Sequence, residues 1–94
     1  MKVTKNNVSF LVSGDFSENW FYKNSLDIWE PYTLYILDYY KDKINGIYID
    51  IGSWIWPTVL YAANIYKKVI VIEPDTIAIE RLKENIKVNN FKNI

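Results

Sequence analysis

The sequence contains neither cysteine nor histidine. Their absence excludes disulfide bonds, zinc sites built from these residue types, cysteine nucleophiles and histidine general bases. Any chemistry must therefore depend on carboxylates, tyrosines, lysines or a cofactor. The formal net charge is zero, so no overall field draws the chain to nucleic acid or to anionic lipid, and we expect neither as a partner.

Long hydrophobic runs are also lacking. No stretch approaches the roughly 20 apolar residues of a membrane span, and residues 1–7 lack the apolar core of a signal peptide. We therefore expect a cytoplasmic chain. Half of the 94 residues are hydrophobic and 17% are aromatic, which is typical of one small domain folded around a core.

The first part of the chain predicts a strand followed by a loop. Val8, Phe10 and Val12 alternate as on one face of a strand or of an edge hairpin, with turn-forming residues at 13–15. Residues 15–22 are polar and aromatic without a clear period, which suits either an ordinary surface loop or a lid.

A helical pattern follows from Leu26, with Pro31 suited to the first turn. We expect the tyrosine-rich side of this helix to pack against the core or against another helix. Gly46 is suited to a left-handed cap before the next strand.

Residues 47–89 alternate between strand and helix patterns. The predicted elements are a strand at 47–51, a turn at Gly52, a helix opened by Pro57, a strand at 69–72 that ends before Glu73, and a helix at 75–89 with a solvated charged side. This order predicts parallel strands joined by right-handed crossovers, the beginning of a doubly wound α/β sheet. Such sheets bury both faces, and here helices for the second face are missing, so we expect a truncated sheet.

Ligands of such sheets bind beyond the carboxyl ends of the strands, where Asp50, Gly52 and Glu73 lie. Glu73 follows Asp50 by 23 positions, close to the roughly 20-residue offset of an acidic ribose acceptor. The single glycine does not complete a G-x-G-x-x-G motif, which favours a nucleoside cofactor without phosphates over NAD or FAD.

Three segments together resemble a known family. The segment Y-I-D-I-G-S-W-I-W-P-T at 48–58, V-I-E-P-D at 71–75 and L-x-x-N at 82–85, with a later Asn89, resemble the opening half of S-adenosylmethionine-dependent methyltransferases of the FkbM type. The resemblance covers about half of the chain and extends to W-E-P at 29–31. It implies a partial Rossmann-like fold of the class I methyltransferases. Residues 1–46 would form an N-terminal strand, loop and lead-in helix, and residues 47–94 the first β-α-β-α part of the cofactor-binding domain.

The resemblance also implies S-adenosylmethionine as the cofactor and O-methylation of a sugar or small acceptor by the intact enzyme. The implied cofactor-binding residues are Glu30 at the amino or carboxyl end of the cofactor, Asp50 and Gly52 at its methionine part, Glu73 at the ribose hydroxyls, and Pro74 and Asp75 at the adenine. Ser53 is a further implied cofactor-binding residue. No catalytic residue and no metal ligand is implied. Alternatively, Asp50 caps the following helix or turn, and Glu73 is a solvent-facing acid at a strand end.

Two departures from the family pattern support a different hypothesis. Trp56 occupies a position where the family has glycine, so its indole either points away from the pocket, reshapes it or abolishes binding. Segments that place the acceptor are missing, so we expect the chain alone to be inactive. The alternative is a non-catalytic Rossmann-like remnant that has lost cofactor binding and packs against a partner chain supplying the missing strands. The partner would be a second copy or the missing C-terminal half. A nucleotide-binding module of unknown ligand is a third hypothesis.

Overall fold

The computed structural model describes residues 1–14, 22, 28, 30–54 and 57–94. These residues form an α/β fold with two two-stranded sheets and three helices. The elements are β1 (Lys2–Lys5), β2 (Val8–Leu11), α1 (Pro31–Tyr40), β3 (Ile47–Ile51), α2 (Pro57–Ile65), β4 (Lys68–Ile72) and α3 (Thr76–Asn89). The predicted α/β class is confirmed. The loop at 15–21, the helix start at Leu26, Trp29 and Trp56 lie outside the described residues. In the described part of the chain, no helix is long and apolar enough to cross a membrane.

The N-terminal residues form an antiparallel hairpin. Four residues of β1 pair with four of β2, and both residues of the turn, Asn6 and Asn7, have positive φ. Such a turn matches the twist of the two strands, and asparagine tolerates the left-handed conformation. The predicted strand with Val8 and Phe10 on one side is confirmed as part of a hairpin, whose turn lies at Asn6 and Asn7. Val12, the third residue of the predicted side, is buried one residue beyond the end of β2.

Helix α1 begins at Pro31. Proline has no backbone N–H, and at the first position of a helix this N–H would have no carbonyl partner within the helix. Leu34 and Leu37 are buried, and α1 contacts α2. The tyrosine-rich side is exposed, with Tyr32 at 81% and Tyr35 at 65%. The prediction that this side packs against the core or another helix is wrong for the part of the chain that the structure describes, because α1 contacts its neighbours through a narrow seam of residues one turn apart.

The connection from α1 to β3 does not depend on glycine. Lys41 closes the helix in a right-handed helical conformation. Among the described glycines, Gly14 and Gly52 have positive φ and Gly46 does not. The left-handed cap predicted at Gly46 is therefore wrong.

Strands β3 and β4 are parallel neighbours, paired in register up to Ile51 and Ile72. The N–H of Gly52 donates to the carbonyl oxygen of Ile72 at 2.8 Å and extends the ladder by one residue. The predicted pair of parallel strands is confirmed, with β4 one residue longer at its start. Their carboxyl ends form one rim, which carries both Gly52 and Glu73.

Helix α2 lies inside the molecule. Residues 57–63 are all buried, and the helix contacts both strands of the parallel sheet, strand β2 and helix α1. The Tyr61 hydroxyl lies 2.8 Å from both oxygens of Asp38, and the Tyr66 hydroxyl donates to the carbonyl oxygen of Leu37 at 2.9 Å. These bonds satisfy the two phenol groups at the core and attach α1 to α2.

Helix α3 is capped by Asp75, whose side chain accepts a first-turn backbone N–H at 2.8 Å. Its charged residues form exposed ion pairs, as predicted for a solvated side. The Asn89 side chain accepts the N–H of Leu11 at 2.6 Å and donates to its carbonyl oxygen at 2.7 Å. The Asn85 side chain accepts the N–H of Ser13 at 2.8 Å. Two asparagine side chains of α3 thus form hydrogen bonds with the main chain of β2 and of the segment that follows it.

One face of the parallel sheet is left uncovered by the described residues. Its large side chains are all isoleucines with exposed fractions between 37% and 75%: Ile47, Ile49, Ile51, Ile70 and Ile72. We call this surface the isoleucine face. The expectation that the second face lacks helices is confirmed for the described part of the chain.

We expect Leu60→Ala to lower the free energy of unfolding by about 2–5 kcal/mol, because Leu60 is fully buried and truncation leaves a cavity. Urea denaturation followed by circular dichroism measures this difference. Ile77→Ala, at a residue that is 74% exposed, is the control and should change stability by no more than about 0.5 kcal/mol. Equal losses in the two variants would contradict the core position of α2.

We also expect the stability to fall as pH rises from about 10 to about 12. Burial, assisted by the hydrogen bond to Asp38, raises the pKa of Tyr61 to about 12, whereas an unfolded tyrosine has a pKa of about 10. The unfolded state therefore releases this proton first, which favours unfolding in that range. Urea denaturation at successive pH values should show a shallower decline for Tyr61→Phe than for the wild type. The exposed-site control Tyr32→Phe should decline like the wild type, and a Tyr61→Phe curve parallel to both would refute the assignment.

Candidate functional site

A cavity of about 260 Å³ lies at the carboxyl end of β3, beside the first turns of α1 and α2. Its lining residues are Glu30, Thr33, Tyr48, Asp50, Gly52, Ser53, Trp54, Pro57 and Thr58. This set brings together four of the seven residues predicted to bind a cofactor: Glu30, Asp50, Gly52 and Ser53. The described lining contains two carboxylates and no lysine or arginine, so the cavity favours a cationic group.

Asp50 is the most buried carboxylate of the cavity, with 8% of its surface exposed. Its Oδ2 atom accepts hydrogen bonds from the Tyr48 hydroxyl and the Thr58 hydroxyl, both at 2.7 Å. These bonds compensate for burying the charge and fix the carboxylate plane. Both partners are side chains, one on β3 and one on α2, so Asp50 joins the strand to the helix. Among the described residues no backbone N–H of α2 donates to it, and the part of the preceding turn at 55–56 lies outside the described residues.

Burial raises the pKa of Tyr48, and the hydrogen bond to Asp50 raises it further. The phenol therefore stays protonated at neutral pH and acts as a donor to the carboxylate. Tyr48 and Thr58 both bind Oδ2, so among the described residues the Oδ1 atom of Asp50 keeps acceptor capacity for a ligand.

The turn after β3 lines the cavity with Gly52, Ser53 and Trp54. Gly52 has φ of 74°, and a Cβ built there would meet no described heavy atom within 4 Å. The rim at Gly52 is thus open to a ligand, and its backbone favours glycine. The Ser53 Oγ atom is buried and has no hydrogen-bond partner among the described residues. Such an atom is costly unless a ligand or water binds it.

Glu73 lies on the same rim, one strand away. Its Oε2 atom accepts the N–H of Trp54 and its Oε1 atom accepts the N–H of Asp75, both at 3.0 Å. The carboxylate therefore clamps the turns that follow β3 and β4, and it is more than a solvent-facing acid at a strand end. Each oxygen keeps a further lone pair for another donor. Pro74 is exposed, and the Asp75 side chain is occupied as the cap of α3.

Comparison of the chain with known proteins does not indicate a role for these residues. Neither a protein-family model, nor a curated protein, nor a solved structure matches the chain. The cofactor-binding roles of the seven residues therefore stay predictions that depend on chemistry and geometry.

Strained backbone is concentrated at the cavity. Five described non-glycine residues have positive φ, and three of them are asparagines, which adopt this conformation readily. The other two are Glu30 and Trp54, and both line the cavity. Strain of this kind costs on the order of 1–3 kcal/mol and is found preferentially at ligand sites.

Tyr48 and Thr58 line the site but were not among the residues predicted to bind a cofactor. Strand alternation places Tyr48 on the same face as Asp50, two residues away, which was a usable signal. Thr58 had no such signal, because its contact with Asp50 depends on how α2 packs against β3.

We expect Thr58→Val to lower the free energy of unfolding by about 1.5–3 kcal/mol, since valine keeps the shape but removes a hydrogen bond to a buried carboxylate. Urea denaturation at pH 7 measures the loss. Thr33→Val is the matched control, because the Thr33 hydroxyl donates to the exposed carboxylate of Glu30 at 3.1 Å, and its loss should cost about 0.5 kcal/mol or less. A Thr58→Val variant as stable as Thr33→Val would show that Asp50 does not depend on this bond.

Proposed function

We propose that the chain is the S-adenosylmethionine-binding part of an FkbM-like methyltransferase with a partial Rossmann-like sheet. The enzyme would methylate an oxygen of a sugar or another small acceptor. The observation that carries the proposal is the carboxyl rim of two parallel strands, where an open glycine turn lies between a buried carboxylate, Asp50, and the carboxylate of the neighbouring strand, Glu73.

The residues present fit this cofactor. The unpartnered Ser53 hydroxyl and the open space at Gly52 leave both polar and steric room for a ligand. The cavity volume of about 260 Å³ is below the roughly 300–1,000 Å³ of complete ligand pockets. It suits the methionine end, and the adenosine would extend across the rim beside Glu73.

Charge supports the same assignment. The sulfonium and amino groups of the cofactor are cationic, and the carboxylates of Glu30 and Asp50 attract them. The free Oδ1 atom of Asp50 would accept a hydrogen bond from the amino group, and the spare lone pairs of Glu73 would accept hydrogen bonds from ribose hydroxyls. Bound cofactor supplies an activated methyl group, and the contribution of this chain is to hold and orient it.

We expect the purified chain to bind S-adenosylmethionine with saturable heat in calorimetry. Glu73→Gln should weaken binding by about 10-fold or more, because a charge-assisted hydrogen bond contributes about 1.5–3 kcal/mol. Glu80→Gln is the control, since Glu80 pairs with Lys83 on the exposed side of α3, and it should bind like the wild type. Circular dichroism melts establish that each variant is folded. Absence of heat at millimolar cofactor, or equal weakening in both variants, would contradict the proposal.

A second candidate function is a non-catalytic module that packs against a partner chain. The isoleucine face favours it, because an exposed apolar patch on a sheet is typical of an interaction surface. Binding of a partner in a chain that gives no heat with S-adenosylmethionine would favour this second function.

A further inference from the structure

A second cavity lies at the amino end of the parallel sheet. Its volume is about 510 Å³, within the roughly 300–1,000 Å³ range of ligand pockets. Three segments line it: residues 45–47 at the start of β3, residues 67–68 at the start of β4, and residues 92–94 after α3. None of these residues lines the cavity at the carboxyl end of β3. We call this second cavity the lysine cavity, and a ligand in it would not displace a cofactor at the carboxyl rim.

Positive charge in the lysine cavity is not neutralised by neighbouring side chains. Lys67, Lys68 and Lys92 line the cavity, and its described lining contains no aspartate or glutamate. Among the described residues, none of these three ammonium groups forms an ion pair or a hydrogen bond. A carboxylate at the end of the chain, on Ile94, would offset only one of the three charges. The cavity therefore favours an anion with more than one negative charge.

Hydrogen bonds of Asn93 hold the lysine-bearing segments together. Its Nδ2 atom donates to two carbonyl oxygens at and just after the end of α2, at 2.8 and 3.0 Å, and its own carbonyl oxygen accepts the N–H of Val69 at 2.8 Å. The backbone of Lys92 is thereby held beside that of residues 67–68, and three like charges are gathered although their repulsion opposes folding. A bound anion would relieve this repulsion, and the arrangement of the segments exists before it binds.

The lysine cavity also has an apolar part. Ile47, with 51% of its surface exposed, and the partly buried Ile94 both line it. An inorganic anion would leave this apolar surface in contact with water, whereas an organic phosphate would cover it with its carbon skeleton. The lining thus combines positive charge for an anionic group with an apolar surface for the rest of a ligand.

We propose that the lysine cavity binds a small organic phosphate, with the phosphate group at the three lysines and the carbon skeleton against Ile47 and Ile94. A phosphate monoester carries close to two negative charges at neutral pH, and its oxygens accept charge-assisted hydrogen bonds from several ammonium groups at once. The chain as a whole is neutral, so a long polyanion such as nucleic acid gains little from the rest of the surface. The proposal is independent of cofactor binding, which calorimetry with S-adenosylmethionine tests separately.

Heteronuclear NMR of the whole chain, titrated with phenyl phosphate as the probe, tests the site. Saturable shifts should centre on the amides of residues 45–47, 67–68 and 92–94, inorganic phosphate should bind more weakly, and phenol should leave these amides unshifted. Lys92→Gln should raise the dissociation constant for phenyl phosphate at least fivefold, and Lys92→Arg, which keeps the charge, should bind like the wild type. Absence of saturable shifts at millimolar phenyl phosphate, or equal shifts with phenol, would overturn the proposal.

Lys83→Gln is the matched control for charge. Lys83 pairs with Glu80 at 2.6 Å on the exposed side of α3 and does not line the cavity. The substitution removes the same charge from the molecule as Lys92→Gln and should leave the affinity for phenyl phosphate unchanged. Equal weakening by the two substitutions would indicate general electrostatic attraction and overturn the assignment to the lysine cavity.

A pair of isoleucine variants tests where the carbon skeleton lies. Ile47 and Ile49 have similar exposed fractions, 51% and 53%, but only Ile47 lines the cavity. Ile47→Thr should weaken phenyl phosphate and leave inorganic phosphate unaffected, and Ile49→Thr should change neither. Threonine keeps the β-branched shape that suits a strand, and circular dichroism melts establish that both variants are folded. Equal affinities of Ile47→Thr and the wild type for phenyl phosphate would overturn the assigned place of the carbon skeleton.

Discussion

The burial of the first seven residues of helix α2, Pro57 to Ala63, is the constraint on which the rest of the structure depends. This uncharged helix occupies one face of the parallel sheet and is enclosed on its other sides by the hairpin and α1. The described helices and hairpin are thus gathered on the same side as α2, and the core of the domain lies there. The isoleucine face follows from this arrangement. Both faces of the parallel strands are apolar, but among the described residues helices pack against only one of them.

Helix α2 also holds the candidate site in place. Thr58 lies in the first turn of α2 and holds the carboxylate of Asp50, which is fixed from the strand side by Tyr48. Glu73 then ties the main chain of the turn after β3 to β4. The carboxylates of Asp50 and Glu73 and the turn between them are in this way held at fixed positions before any ligand binds, which lowers the entropic cost of binding.

Local chemistry determined which parts could be predicted from sequence. Strand β3 and the proline start of α2 follow from short patterns, and both occur as expected. The exposure of the tyrosine side of α1 could not be read in this way, because it depends on how few neighbours α1 has. The rim with Gly52 and Glu73 was predictable from strand order, whereas the bond between Thr58 and Asp50 required the packed structure. Trp56, the main departure from the family pattern, lies outside the described residues.

The asparagine contacts of α3 with the hairpin determine the order in which the fold can be completed. Asn89 and Leu11 are separated by 78 positions, so this contact closes nearly the whole chain and carries a large loop-closure entropy. The strand pair and α2 can assemble from neighbouring segments, but the hairpin has no asparagine partners until α3 has formed. During synthesis, Leu11 of β2 therefore leaves the ribosome before its side-chain partner and acquires it only when Asn89 emerges. The interval between these events is the period in which the main chain of Leu11 is open to pairing with another chain.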